Sequence, residues 1–273
     1  MRSRLAWALL GCLLLPVGGA AATVEMSFAA GIWCNREKEH KISAAHEDEL
    51  VRSLRRITGL KELDFAEDGS LVLGEITQVE SGSSTARQII FSALASGKTF
   101  IIEDHSRSKS VIFGQMDEGT DFEDLVSRRK QDIWRLRIDF EDFREIEASA
   151  DVRNSFDAGF TVLHELLHGL GYKDGKTKEK LGALEGLVNQ ARAELGLPQR
   201  DHYFGEPIQI MSQISTIRLR FRKRKNPEAE SQRKRTSQGM DYLYFLLPTY
   251  KLLGLVQSKW ADLVQLRPAP KIR

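Results

Sequence analysis

An α+β fold is expected from three observations. Apolar residues recur at helical spacing in several stretches, each opened by a capping residue or closed by glycine. Other stretches alternate apolar and polar residues with the period of a half-buried strand. The composition, 41% hydrophobic and 29% charged, is that of a globular protein, and 273 residues suffice for a sizeable core.

Residues 23–41 are mixed and expected to be irregular. Ser43 can cap a helix to about Thr58, with Leu50, Leu54 and Ile57 on one face. Leu60–Ala66 and Leu71–Gly74 read as a hairpin around Asp68-Gly69. Ser83 or Ser84 starts a helix with Ala86, Ile89, Ile90, Ala93 and Leu94 inward, ended by Gly97. Thr99–Glu103 and Ser110–Phe113 are β-rich runs, split by a polar loop in which His105 reads as a solvated turn residue. Residues 114–124 hold Asp117, Glu118, Asp121, Glu123 and Asp124 and read as an acidic surface loop. Trp134, Leu136, Ile138 and Phe140 alternate with Arg135, Arg137 and Asp139, a strand pattern.

Asn154 or Ser155 then opens a helix whose stripe is Phe156, Phe160, Leu163, Leu167 and Leu170, extended by Val162 and Leu166. Gly169 and Gly171 close it. A second helix spans about Lys178 to Leu195, with Leu181, Leu184, Val188, Ala191 and Leu195 inward, and stops at Gly196 and Pro198. Ile217, Leu219 and Phe221 alternate with Arg218, Arg220 and Arg222, and Asp241–Leu247 is an apolar run able to pair with them. Pro248 and Pro268 bracket a short terminal helix.

The polar strip of the Phe156–Leu170 helix is His164-Glu165-Leu166-Leu167-His168. Its two imidazoles lie one turn apart on one face and can reach a single metal ion. Zinc suits them, since neutral imidazole is a good ligand for it and tetrahedral geometry accepts that bite. Glu165 points to the neighbouring face, where it can act as general base toward a zinc-bound water. A buried helix also demands a reason for polar groups on its one polar strip.

Residues 1–22 have the form of a secretory signal: Arg2 and Arg4, an apolar run Leu5–Leu15, then Ala20-Ala21-Ala22 before Thr23. That run is too short to span a membrane, and no other stretch reaches spanning length. An exported protein, periplasmic or secreted, is expected; a lipoprotein anchored at Cys12 is the lesser alternative. Loss of Arg2 and Arg4 takes the formal charge from +2 to about zero, so no nucleic-acid partner is expected, and the basic segment 218–235 reads as a solvated hairpin face. Cys34 would remain alone, without a disulfide partner. The expected division is 1–22 signal, 23–210 a domain around the two histidines, and 211–273 a C-terminal β/α extension.

A catalytic zinc usually takes three protein ligands. Asp174 is placed first: His164-Glu165-x-x-His168-x-x-Gly171-x-x-Asp174 has the spacing of the metzincins, with Asp where their third His stands. Ile210-Met211-Ser212 is a candidate for the methionine turn of that group. The alternative is Glu185 on the next helix, as in gluzincins, at the edge of its apolar stripe; Glu179 lies opposite and is expected to be solvated.

The H-E-x-x-H helix, followed by Val188-Asn189-Gln190-Ala191-Arg192-Ala193-Glu194-Leu195-Gly196-Leu197-Pro198-Gln199-Arg200-Asp201-His202-Tyr203, resembles the NleD-like effector metallopeptidases and the zincin toxin domains at the ends of Rhs proteins. The likeness covers about residues 85–205. It implies a zincin-like fold, a small mixed sheet packed on the active-site helix, and zinc-dependent hydrolysis of a peptide or protein substrate. Val188 departs from the acidic residue that often precedes the Asn in those families, and a signal peptide is unlike an injected effector. Tyr203 and His202 are candidates to stabilise an oxyanion. The rival expectation is a non-catalytic zinc-binding module of the envelope, which would need no general base.

Overall fold

The computed structural model describes residues 30–74, 76, 79, 81–123, 130–175, 181–202, 205–210, 213–223, 239–248 and 251. The signal-like segment 1–22, Glu179, Tyr203, Met211-Ser212, most of the basic loop and, apart from Lys251, the terminal helix lie outside these residues. No helix among the described residues is long and apolar enough to cross a membrane.

The fold is mixed α+β with small sheets. One layer is a sheet of β1 (Gly31–Cys34), β4 (Thr99–Asp104), β6 (Lys130–Ile138) and β5 (Gly114–Glu123), in the spatial order β1-β4-β6-β5. β1, β4 and β6 are parallel and β5 is antiparallel to β6. Alternation decides its two faces. Ile32, Cys34, Phe100, Ile102, Leu136 and Ile138 turn inward onto the helices. Glu103, Arg135 and Arg137 point the other way, where Arg135 pairs with Glu103. The short hairpin β2 (Asp64–Phe65) with β3 (Leu71–Val72) forms around Asp68-Gly69 as expected.

The helices α1 (Ala44–Thr58), α2 (Ser84–Ala95), α4 (Ala158–Gly169) and α5 (Ala183–Glu194) pack on that inner face. Ser43 and Ser83 cap α1 and α2, each accepting from the backbone N–H three residues on. α4 lies in the middle of this layer, against α1, α2, α5, β5 and β6.

A second sheet has the order β7-β11-β10-β8, with β9 also on β10: β7 (Ile146–Glu147), β8 (Gln199–Arg200), β9 (Glu206–Ile210), β10 (Gln213–Arg222) and β11 (Met240–Leu246). Its own core joins Ile217, Leu219, Phe221, Leu243 and Phe245 to Phe113, Ile146, Val152 and Phe156. β9 pairs with β10 across residue 210, and the strands β10 and β11 share a sheet with β7 and β8.

Four expectations change. β1 arises from a stretch expected to be irregular. The acidic stretch at 114 is strand β5: it pairs antiparallel with β6 through a bulge between Asp117 and Thr120, and Asp117 meets Arg137 across the ladder. Ser110–Phe113 is not a strand but the irregular turn leading into β5. His105 is largely buried, stacked on His40 with ring centroids 3.8 Å apart, and its Nε2 lies 3.2 Å from Glu103 Oε2.

Glu194 ties the end of α5 to the start of α2. Its carboxylate accepts from Ser83 Oγ at 2.7 Å, Ser84 Oγ at 3.1 Å, Thr85 N at 3.0 Å and Thr85 Oγ1 at 2.5 Å. Desolvation pushes this carboxyl up, but the Thr85 and serine hydrogen bonds outweigh it and hold its pKa at about 2, against an ordinary 4.5. A depressed folded-state pKa gives stability that is complete above about 4.5 and is lost as pH falls toward 2. The side chain is solvent-exposed, so screening holds the gain to about 1 kcal/mol. Acid titrations of wild type and Glu194→Gln should therefore converge near pH 2 and separate above pH 4.5. Parallel curves would remove Glu194 from this role.

Candidate metal centre

The helix carrying the two histidines is preceded by a shorter one, α3 (Ala150–Ser155), capped by Ser149. Asn154 and Ser155 belong to that turn and so cannot cap α4; Ser155 Oγ donates to Val152 O instead. Phe156 breaks the helix, and Asp157 restarts it by accepting the Phe160 N–H at 3.1 Å. The other oxygen of Asp157 accepts from Ser53 Oγ and Arg56 Nη2, both at 2.6 Å, which fixes α4 to α1. α4 is buried along almost its whole length, and His164 and Glu165 are only 9% and 5% exposed.

The chain leaves α4 through Gly171, at φ +92°, and runs back past the histidines. This return places Asp174 Oδ1 3.4 Å from His164 Nε2 and Asp174 Oδ2 3.2 Å from His168 Nε2. The approach depends on Gly182, just before α5, where a Cβ would run into the backbone of Asp174 and Gly175. His164, His168 and Asp174 each offer one ligand atom, all within 4.8 Å of one another. With metal–ligand bonds of about 2.0–2.1 Å, adjacent corners of a tetrahedral zinc site are about 3.3 Å apart, close to both carboxylate–imidazole separations.

The other nitrogen of each ring also has a partner. His168 Nδ1 faces the Tyr172 carbonyl at 3.2 Å. His164 Nδ1 faces Glu185 Oε2 at 3.4 Å. Acceptors at Nδ1 favour the tautomer that would present Nε2 as the ligand atom to a bound metal, the arrangement typical of metal-ligating histidines. Glu185, the alternative third ligand, thus stands behind His164 and not beside Asp174.

Glu185 is held there by a buried network on α5 and β8. Arg192 Nη1 donates to Glu185 Oε1 at 2.5 Å and to Asn189 Oδ1 at 2.9 Å, and Arg192 Nε donates to the Ser155 carbonyl at 2.8 Å. Asn189 bridges to the Arg200 backbone through both ends of its amide, each bond 2.8 Å. Arg200 Nη1 lies 3.8 Å from Glu185 Oε2. Burial alone pushes the Glu185 carboxyl up; Arg192, His164 and Arg200 reverse this and hold it well below the usual carboxylate range. It is ionised, and its charge favours a proton on the His164 Nδ1 that faces it. Spacing alone gives Asn189 and Arg192 no role at the site, although Glu185, Asn189 and Arg192 recur at helical spacing on a face otherwise apolar.

Glu165 is turned toward β5. It accepts from the Met116 backbone N–H, and Gly114 is glycine where a Cβ would clash with Thr161 and press on Glu165 Oε1. Burial raises its pKa, against the opposing pull of His164 and His168. His202 Nε2 pairs with Asp201 Oδ2 at 3.1 Å, and Asp201 in turn holds Arg222 and Arg220 of β10. Comparison with protein-family models, curated proteins and solved structures finds no match to this chain.

Proposed function

We propose that this chain is an exported, zinc-dependent peptidase of zincin type, with His164, His168 and Asp174 as ligands and Glu165 as general base. The observation that carries the reading is the paired orientation of the two histidines: each Nε2 faces Asp174, while each Nδ1 faces a separate acceptor. A salt-bridge cluster has no need of that division, whereas a metal site has. Export rests on the leader-like residues 1–22.

When bound there, zinc supplies Lewis acidity and brings a coordinated water to a pKa of about 7. Asp174 contributes the anionic ligand and Glu185 maintains the His164 tautomer. Glu165 accepts a proton from the attacking water at its carboxylate and returns it to the leaving amine. Burial raises its pKa, the direction that suits a group required both to take and to give a proton. Glu165 also supports catalysis over a purely structural site, which closes all four positions with ligands and has no use for a buried base.

β5 supports a peptide as substrate. It is the outer strand of its sheet among the described residues, and Met116 on it touches Glu165. An extended segment can add to such an edge through main-chain hydrogen bonds, which carries its peptide groups past the base.

The test is metal analysis with a peptide-library digest. Purified protein is expected to hold one zinc per chain and to cleave peptides, and a chelator should stop cleavage. His164→Ala, His168→Ala and Asp174→Ala should each lose the zinc. Zinc retained in the His164→Ala/His168→Ala double variant would end the proposal; zinc without any cleavage would leave the non-catalytic binding module as the better account.

A further inference from the structure

Another buried ionic group among the described residues is formed without the histidines. Lys251 is completely buried, and so are Asp139 and Asp142. Lys251 Nζ is 2.5 Å from Asp142 Oδ2, 2.8 Å from Asp139 Oδ2 and 2.6 Å from the Val111 carbonyl. The Phe245 ring lies 6.0 Å from Nζ.

The two aspartates are held differently. Asp139 accepts from two backbone donors, Arg107 N on Oδ1 and Ser108 N on Oδ2, both at 3.1 Å. Asp142 receives one backbone donor, Phe113 N on Oδ2 at 2.9 Å, while its Oδ1 is buried with no hydrogen-bond partner among the described residues. Phe113 itself has φ +58°, a conformation a bulky residue rarely adopts, and holding it aims that N–H at Asp142. Desolvation drives the Asp142 carboxyl up to about 6, reinforced by Asp139 and opposed by Lys251.

We propose that Lys251 and Asp142 condense into an intramolecular isopeptide bond, with Asp139 as the proton carrier. The atoms for that reaction are already in place. The 2.5 Å contact leaves Nζ roughly 3–3.5 Å from the Asp142 carboxyl carbon, the range of a near-attack arrangement. Lys251 Nζ gives one proton to Asp142 Oδ2, the oxygen it touches, and attacks Cγ as a neutral amine. The C=O electron pair moves onto Oδ1. Asp139 Oδ2, 2.8 Å from Nζ, takes a second proton from it and passes it to the Oδ2 hydroxyl of Asp142. The Cγ–Oδ2 bond breaks, water leaves, and a neutral amide remains. One N–C bond forms, one C–O bond breaks, and neither oxidant nor co-reactant is required.

The surroundings favour the product. An ammonium and a carboxylate buried in the interior carry a large desolvation penalty, which a neutral amide avoids. The bond would fasten the C-terminal segment at Lys251 to the turn Phe140–Phe143, next to the entry of β5. It stands independently of the metal centre, since none of its groups belongs to that site.

Mass spectrometry of the purified full chain under denaturing conditions tests it. The wild-type protein is expected to be lighter than its sequence by one water, and digestion should release a branched peptide joining Asp142 to Lys251. Lys251→Arg and Asp139→Asn should both have their full sequence masses. A wild-type protein without the missing water overturns the proposal. So does a water loss mapped to Asp68-Gly69 or Asp174-Gly175, where aspartyl-glycine pairs can cyclise on their own. A branched peptide persisting in Asp139→Asn would overturn the role given to Asp139. The decisive measurement is on the wild type, so it does not depend on whether any variant folds.

Discussion

Glu165→Gln is expected to keep its zinc and lose its hydrolysis. Glu165 is 5% exposed and sits on the ligand helix, one residue from His164, yet it faces β5 and not Asp174. Glutamine has the same length and can still accept the Met116 N–H through its amide oxygen. It cannot accept a proton at neutral pH. General-base catalysis contributes about 10²–10⁴-fold, so turnover should fall by at least that factor while metal content stays at wild-type level. The melting temperature should hold or rise slightly, because a buried carboxyl whose pKa is already raised by desolvation is replaced by a neutral group. Equal turnover in the glutamine variant would remove Glu165 from catalysis and with it the peptidase reading. The choice of glutamine over alanine matters here. Alanine would open space between α4 and β5 beside Gly114, and a lost activity could then be blamed on a shifted strand.

Much of this arrangement is legible in residue spacing, and what is not has a physical cause. The Phe160, Leu163 and Leu167 part of the stripe identifies a buried helix because its period is long enough to stand out, while Phe156 lies before α4 and packs in the second core. Ser43 and Ser83 are legible as caps because a hydroxyl before an apolar stripe has few other uses. Spacing misplaces the start of α4 because Asn154 and Ser155 offer the same chemistry as Asp157. The choice among them is made at a distance, by Ser53 and Arg56 on α1. β1 escapes a pattern reading because four residues are too few to show a period, and its partner β4 is more than sixty positions on. β5 is hidden by its composition: acidic residues and glycine disfavour strands, but Asp117 meets Arg137 only once the strands are paired. Asp174 is legible because a glycine three residues after His168 marks a reversal. Periodicity places Glu185 on the inner face of α5 but cannot say which ring nitrogen of His164 it meets. That depends on the packing of α5 against α4, which no local pattern encodes.

Glu185→Ala should be the most destabilising single change at the centre, and its effect on zinc should be indirect. Arg192 is 2% exposed, and removing Glu185 leaves its guanidinium buried without its carboxylate partner. Breaking a buried pair from one side costs about 3–5 kcal/mol. Against a total stability of about 5–15 kcal/mol, that is about a fifth of the whole at the least. For a domain of this size, it corresponds to a melting-temperature fall of roughly 6–20 °C. Zinc affinity should drop about 10–100-fold, the effect of losing the group that orients a ligating histidine. Asp174→Ala should behave in the opposite way: zinc is lost, while stability without metal changes little, because Asp174 is partly exposed and its turn is carried by backbone contacts. Glu185→Leu with Arg192→Met removes both buried charges and should recover part of the stability lost by the alanine variant without restoring zinc affinity. Thermal melts of the metal-free variants beside zinc titrations separate the two roles. Complete zinc loss in Glu185→Ala together with wild-type affinity in Asp174→Ala would reverse the assignment, making Glu185 the ligand and Asp174 the supporting carboxylate.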